Sequence, residues 1–112
     1  MELEKRVKEI EGIKGYMGSA ILNKTGEIIN IDESQAIDLA FSSSLFNDTF
    51  RVLNEASLDI GLTNLIRLEA QTDEGMVFLI YSNHKHTVFA IFDSKGNISL
   101  AKMVLAQLLK KV

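Results

Sequence analysis

Two segments in the second half of the chain, Met76–Tyr81 and Thr87–Phe92, are apolar along almost their whole length. Each has the length of a β-strand, and the polar segment Ser82–Lys85 between them has the composition of a turn. Strands joined by a hairpin normally alternate between apolar and polar residues, because one face of the sheet meets water. Two strands without that alternation must be covered on both faces. The sequence therefore predicts a sheet with helices packed above and below it.

The rest of the chain supplies the helices and three further strands. Helical spacing of apolar residues covers 2–11, 34–60 and 98–111, and strand patterns cover a hairpin at 15–31 and an arm at 64–70. The order is helix, two strands, long helix, three strands, helix. It predicts an α+β fold, a profilin-like three-layer sandwich. In that fold a five-stranded antiparallel sheet carries the long helix on one face and the two terminal helices on the other.

The predicted long helix is apolar over about half of its circumference when its residues are placed at intervals of about 100°. The apolar arc consists of Phe41, Val52, Leu45, Ala56, Ile60, Leu53, Phe46, Leu39 and Phe50. A helix that packs on one sheet needs an apolar stripe of only about 100°. We therefore expect part of the arc to be buried against a second partner. Asp32 or Ser34 is the predicted N-cap, and Gly61 is the predicted end of this helix.

The composition is that of a globular domain and excludes several classes of protein. Of the 112 residues, 46% are hydrophobic, and 12 basic against 15 acidic residues give a net charge of −3. Nucleic-acid-binding domains normally carry a basic excess, so we expect no nucleic-acid partner. The absence of cysteine excludes disulfides and zinc–thiolate sites. No secretory signal is present and no apolar run approaches the roughly 20 residues of a membrane span, so we expect a soluble cytoplasmic protein without membrane insertion.

Few residues have the pattern of a catalytic or metal site, and we expect no catalytic residue, metal or cofactor. No glycine-rich phosphate loop is present. His84 and His86 have the spacing of two metal ligands on one strand, but no third ligand accompanies them, so a solvated turn is favoured. Ser42–Ser44 has no histidine predicted beside it. Arg51 is either a catalytic arginine supplied to a partner enzyme or, as we favour, a surface residue. The six phenylalanines, Phe41 among them, are expected in the core.

The chain resembles the roadblock family of dynein light chains and their bacterial and archaeal relatives over nearly all of its length. The resemblance rests on the opening helix that leads into Ile10–Gly15, then on Gly18–Leu22, and on Asn23–Ile29 with its Gly26. The final strand Val88–Phe92, the short glycine-containing loop and the apolar helix that follows also fit. The resemblance implies a single roadblock-like domain at 1–112. It further implies a dimer that regulates or scaffolds small Ras-like GTPases.

A homodimer is predicted on two grounds. The apolar arc of the long helix is wider than one sheet can cover, and the resemblance implies that two long helices pair while the sheets join through the arm at 64–70. A two-fold interface of this kind closes without leaving strand edges open to aggregation. The candidate interface residues are Phe41, Leu45, Val52, Leu65 and Arg67.

The polar side of the long helix is the predicted partner surface. Paired helices on one face of a joined sheet would point this side outward, with Ser44, Asn47, Arg51 and Asn54 forming a platform that carries little charge. Low charge reduces the cost of removing water when a protein docks. The predicted function is a non-catalytic homodimeric regulator or scaffold that binds a small Ras-like GTPase. The alternative is a small-molecule sensor or structural adaptor similar to PAS, GAF or longin domains.

Overall fold

A computed structural model describes residues 2–32 and 37–110 of the chain. The helices are α1 (Glu2–Glu11), α2 (Leu39–Asp59) and α3 (Ile98–Lys110). The strands are β1 (Tyr16–Asn23), β2 (Ile28–Asp32), β3 (Arg67–Gln71), β4 (Val77–Ser82) and β5 (His86–Phe92). The order of elements is the one that the sequence predicts.

The five strands form one antiparallel sheet in the order β2-β1-β5-β4-β3. Helices α1 and α3 contact each other and pack on one face of the sheet, whereas α2 packs alone on the opposite face. The predicted α+β three-layer sandwich is confirmed. Strands β2 and β3 lie at the two edges, so β1, β5 and β4 form the covered centre.

The central strands divide their side chains between two cores. On β4, Val77, Leu79 and Tyr81 pack beneath α1 and α3, whereas Ile80 packs beneath α2. On β5, Val88, Ala90 and Phe92 face α1 and α3, and Phe89 and Ile91 face α2. Because each strand supplies apolar residues to both cores, it cannot alternate between apolar and polar residues. The expectation drawn from the two apolar segments is confirmed.

Helix α2 begins five residues later than the sequence predicts. The Asp38 carboxylate accepts a hydrogen bond from the backbone N–H of Phe41 at 3.0 Å, which makes Asp38 the N-cap. Asp32 is not the cap, because it lies in β2 and accepts a hydrogen bond from the Tyr16 hydroxyl. Ser34, the other predicted cap, lies outside the described residues. A carboxylate that satisfies a free N–H of the first turn is a strong start signal, and helical periodicity alone cannot locate it.

The predicted end of α2 and the predicted start of α3 are both confirmed. Gly61 has a φ of 90°, and its N–H bonds to the carbonyl of Leu58 while that of Leu62 bonds to the carbonyl of Ser57. This pair of bonds is the Schellman motif, which favours glycine at the left-handed position. Asn97 caps α3, because its side-chain oxygen accepts the N–H of Leu100. Within the described ranges, no helix is both long enough and apolar enough to cross a membrane.

Candidate interaction face and polar cleft

The outward side of α2 carries three large apolar side chains. Phe41, Leu45 and Val52 are 65%, 51% and 64% exposed. At about 100° per residue they point away from the sheet, opposite the buried Leu39 and Phe50. We name these three residues the outer stripe. The prediction that Phe41 belongs to the core is wrong, because the sheet covers only one side of the helix. The other five phenylalanines are buried or partly buried in the cores.

The predicted polar platform does not form as one outward surface. Ser44 and Arg51 are exposed, but Asn47 is only 7% exposed and Asn54 is half-buried. The outward placement of Asn47 and Asn54 is therefore wrong. The helix turns its smaller side chains toward the sheet at these positions, and Ser43 is fully buried with its hydroxyl bonded to the carbonyl of Ala40. The sheet side of α2 therefore contains buried polar side chains together with its large apolar ones, which the helical wheel does not predict.

Asn54 ties the loop after α2 to the helix. Its side-chain oxygen accepts the N–H of Leu65 at 2.6 Å, and its amide donates to the Asn64 side chain at 3.0 Å. Ser57 adds a 2.7 Å bond to the carbonyl of Thr63. Leu65 consequently lies half-buried against the α2 core, which leaves less of it for an interface than the sequence predicts. Asn54 thus has a structural role that no short-range sequence pattern indicates.

Strand β3 presents an edge to solvent. Arg67, Glu69 and Gln71 are exposed, and Glu69 forms an ion pair with Lys102 of α3. The inner edge of β3 pairs with β4, and the outer edge has no neighbouring strand in the described parts of the chain. A free edge of this kind can accept another strand. Arg67, a predicted interface residue, lies on this edge.

A second feature of the α2 side is a cleft at the end of the sheet. A cavity of about 320 Å³ and a second of about 80 Å³ share four lining residues, Lys24, Phe50, Asn54 and Ser82. We name the combined space the polar cleft. Its further walls are Asn23, Asn47, Arg51, Asn64, Leu65, Ile66, Asn83, His84 and Thr87. The sequence does not single out Lys24, Asn64 and Asn83 as site residues, because lysine and asparagine are common in turns and loops.

The two histidines lie in different surroundings. His84 is exposed in the turn after β4, as expected, and His86 begins β5 with its Nδ1 atom buried and without a hydrogen-bond partner. No group of three or more residues with metal-binding side chains occurs within 2–32 and 37–110. Ser42–Ser44 has no histidine bonded to it in the structure, and Ser43 contacts only the backbone of its own helix through its hydroxyl.

Among the described residues, the one strongly perturbed titratable group lies on the opposite face of the sheet. The Tyr16 hydroxyl donates to Asp32 at 2.6 Å and contacts the Ser19 hydroxyl at 2.8 Å. Burial, followed by the hydrogen bond to Asp32, raises the pKa of the Tyr16 phenol well above its usual value. These bonds hold the end of β2 against β1, and they stand apart from the outer stripe and the polar cleft.

The order of elements and the single long helix on one face define a roadblock-type fold. Myxococcus xanthus MglB is similar to 96% of this chain and 81% of its own, at a TM-score of 0.82 and 13% identity. An MglB with a tetrameric arrangement gives a TM-score of 0.78 at 11% identity, over 95% of this chain and 81% of its own. A roadblock/LC7 domain from Streptomyces avermitilis gives 0.77 at 10% identity, over 95% and 89%.

The likeness to these structures confirms the predicted roadblock resemblance at the level of the fold. No protein-family model matches the sequence, and no curated protein matches it either. At identities of 10–13% the shared fold does not transfer an activity or a partner.

Proposed function

We propose that this chain is a non-catalytic regulator or scaffold that acts as a homodimer and binds a small Ras-like GTPase. The observation that carries the proposal is the outer stripe of α2. Large apolar side chains that stand together in solvent mark surfaces that contact proteins. The resemblance to roadblock proteins supplies the class of partner. The tetrameric arrangement described for one MglB supports self-association as a property to test.

The proposed dimer joins two chains through α2 and the free edge of β3. Phe41, Leu45 and Val52 supply apolar surface, and Arg67 lies on an edge whose outer backbone groups lack a partner strand. Leu65 connects the two, because it packs against the α2 core just before β3 begins. A two-fold axis would place the outer stripe of one chain against the outer stripe of the other, and the two β3 edges against each other. Both surfaces would then be covered.

The proposed GTPase contact uses Ser44 and Arg51. Both side chains are exposed on one flank of α2, and Arg51 pairs with Asp48 at 3.8 Å in full contact with solvent. An exposed ion pair of this length contributes little to stability, so the arginine is available to a partner. Asn47 and Asn54 are not proposed as direct contacts, because their side chains face the polar cleft and the loop.

The mass of the chain in solution tests the dimer. We expect sedimentation equilibrium at micromolar concentration to give twice the chain mass, and we expect Leu45→Asp to give the mass of one chain, because a charge cannot be buried unpaired. The matched control is Met103→Asp, which introduces the same charge at a half-exposed apolar residue of α3. It should remain dimeric. A wild-type monomer, or equal dissociation constants for both variants, would remove the dimer proposal.

Binding to purified small Ras-like GTPases, loaded with GDP or a GTP analogue, tests the partner. Arg51→Ala should weaken binding by about tenfold if this residue is an interface anchor. Asn47→Ala is the control, and its affinity should stay within about twofold because its side chain does not reach the outer surface. No binding by the wild type to any such GTPase would overturn the partner assignment, and an unchanged Arg51→Ala variant would move the contact elsewhere.

The polar cleft favours the alternative function, a small-molecule sensor. Ligand sites are concave and carry a few polar groups on an apolar wall. Both cores are filled by apolar side chains, so space for a ligand lies at the margins of the sheet, in the polar cleft and in a groove of about 410 Å³ between β3, β4 and α3. The cleft shares Arg51 with the proposed GTPase contact, so a ligand in the cleft and a GTPase would meet at that side chain.

A further inference from the structure

We propose that the polar cleft binds a small organic phosphate, with the phosphate near Lys24, Asn47 and Arg51 and the organic part against Phe50. The inference does not rest on the dimer or on the GTPase, although it shares Arg51 with the proposed GTPase contact. It rests on the walls of the cleft, which come from α2, from the turns after β1 and β4, and from the loop after α2.

The buried amide of Asn47 is the first observation. Asn47 is only 7% exposed and lines the smaller cavity, yet its side chain makes no hydrogen bond with the described residues. The amide lies against the turn after β1, where a Cβ added to Gly26 would stand 3.4 Å from Asn47 Nδ2. The amide keeps some contact with solvent through the cavity, because among the described residues only His86 Nδ1 is both fully buried and unpaired. An amide held in this way, and open only to a cavity, is placed to bond with something inside the cavity.

The charge of the walls is the second observation. Lys24 and Arg51 line the cleft together with His84, and no carboxylate lines either cavity within the described residues. The chain as a whole has more acidic than basic residues, so the lack of carboxylates in these walls does not simply reflect its composition. The carboxylate nearest Arg51 is that of Asp48, at 3.8 Å, and both side chains are solvated. Lysine, arginine and amide N–H groups are donors, which suits an anion rich in acceptor oxygens.

The apolar part of the cleft sets the kind of anion. Phe50 is buried beneath both cavities, and Leu65 and Ile66 line the larger one. This wall offers contact to carbon atoms rather than to a second charge. The larger cavity, of about 320 Å³, is near the lower end of the usual size of ligand pockets. A phosphate on a short carbon skeleton satisfies both parts of the cleft, whereas free phosphate leaves the apolar wall without contact.

Titration of the full-length protein with ribose 5-phosphate tests the proposal, followed by two-dimensional NMR of ¹⁵N-labelled protein. Backbone signals of the turns after β1 and β4, of the second half of α2 and of the loop after α2 should shift together and saturate. Ribose, which lacks the phosphate, should produce no saturable shift. Inorganic phosphate should bind at the same residues but at least about tenfold more weakly, because it lacks the apolar contact.

Matched variants separate a built site from general attraction of anions. Lys24→Ala should weaken ribose 5-phosphate binding by about tenfold. Lys85→Ala removes the same charge from an exposed residue of the turn after β4 that does not line the cleft, and it should change the affinity by less than about twofold. Equal losses in the two variants, shifts that never saturate, or equal binding of ribose would overturn the proposal.

Asn47→Ala separates a role in ligand binding from a role in the fold, because the melting temperature and the ligand affinity are measured on the same variant. Removal of an amide that makes no hydrogen bond within the described residues should leave the melting temperature nearly unchanged, while ribose 5-phosphate binding falls by about tenfold. A large loss of stability without ligand would show that the amide serves the fold, and unchanged binding would show that it does not face the ligand. Either result would contradict its proposed role. The dimer can fail its sedimentation test without affecting this outcome.

Discussion

The two faces of the sheet differ in how completely one chain covers them. On one face, α1 and α3 pack on each other and on β1, β4 and β5, and the buried set runs from Leu3 to Leu109 with few exposed apolar neighbours. On the other face, α2 packs alone, with the outer stripe in solvent and a cleft at one end. The first face is covered apart from a groove between β3, β4 and the end of α3, whereas the second leaves the outer stripe in solvent.

Polar groups do not follow the same division. On the face of α1 and α3, the buried Ser19 hydroxyl meets the hydroxyl of Tyr16, which in turn bonds to Asp32, but the buried Nδ1 atom of His86 on this face has no partner within the described residues. On the face of α2, the Asn47 side chain makes no hydrogen bond within the described residues and lines the polar cleft. The two faces therefore differ in the apolar surface that they leave in solvent rather than in how their polar groups are paired.

Leu105→Ala gives the largest expected loss of stability. Leu105 is fully buried in α3, in the core between the sheet and the two terminal helices. Its truncation leaves a cavity in a packed core and should lower the free energy of unfolding by about 3 kcal/mol. Urea denaturation measures the change. A loss below about 1 kcal/mol would show that this core is less tightly packed than its burial indicates.

Gly18→Ala tests the tightest attachment of α2 to the sheet. A Cβ at residue 18 would stand 2.5 Å from a terminal methyl of the buried Leu39. Overpacking of this kind should cost about 2 kcal/mol in the same denaturation experiment. Leu39→Ala in combination with it removes the clash, so the double variant should lose less than the sum of the two single losses. Strict additivity would mean that the start of α2 does not rest on Gly18.

Tyr16→Phe should cost about 1 kcal/mol near neutral pH, because the hydrogen bonds to Asp32 and Ser19 are lost. The pKa of the Tyr16 phenol is higher in the folded than in the unfolded chain, so the folded state favours the protonated form. The contribution of the Tyr16 hydroxyl to the free energy of unfolding is fully present below a pH of about 10 and declines as the pH rises above that value. Wild type and variant should therefore converge in stability as the pH rises. Parallel curves would contradict the role of the hydroxyl.

Val52→Ser should have the smallest effect on a single chain. Val52 is 64% exposed in the outer stripe, so its replacement in the background of Leu45→Asp, which is expected to be monomeric, should change the free energy of unfolding by less than about 0.5 kcal/mol. In the otherwise unchanged chain, the same replacement should weaken the dimer. A large loss in the monomer would show that the α2 face is completed by its own chain.

The sequence by itself determined the elements and their layers. Two strands without alternation require cover on both faces, and Met76–Tyr81 and Thr87–Phe92 therefore predicted a sheet between helices. Gly61 and Asn97 marked helix ends through local chemistry, since a left-handed position favours glycine and a free N–H favours an acceptor side chain. These are rules about near neighbours in the chain, and they can be applied without knowing the tertiary structure.

Only the tertiary structure decided which side of α2 meets the sheet. The helical wheel gave an arc wider than one sheet covers. It assigned Asn47 and Asn54 to the outside, and Phe41 was expected both in the core and at a dimer interface. The structure turns the two asparagines inward and Phe41 outward, because the helix can approach Gly18 and Gly26 closely only where its own side chains fit, and because Asn54 bonds to the loop that follows. The polar cleft has the same origin. Its walls lie far apart in the sequence, so the charges and the amide that face one another there become a site only when the chain is folded.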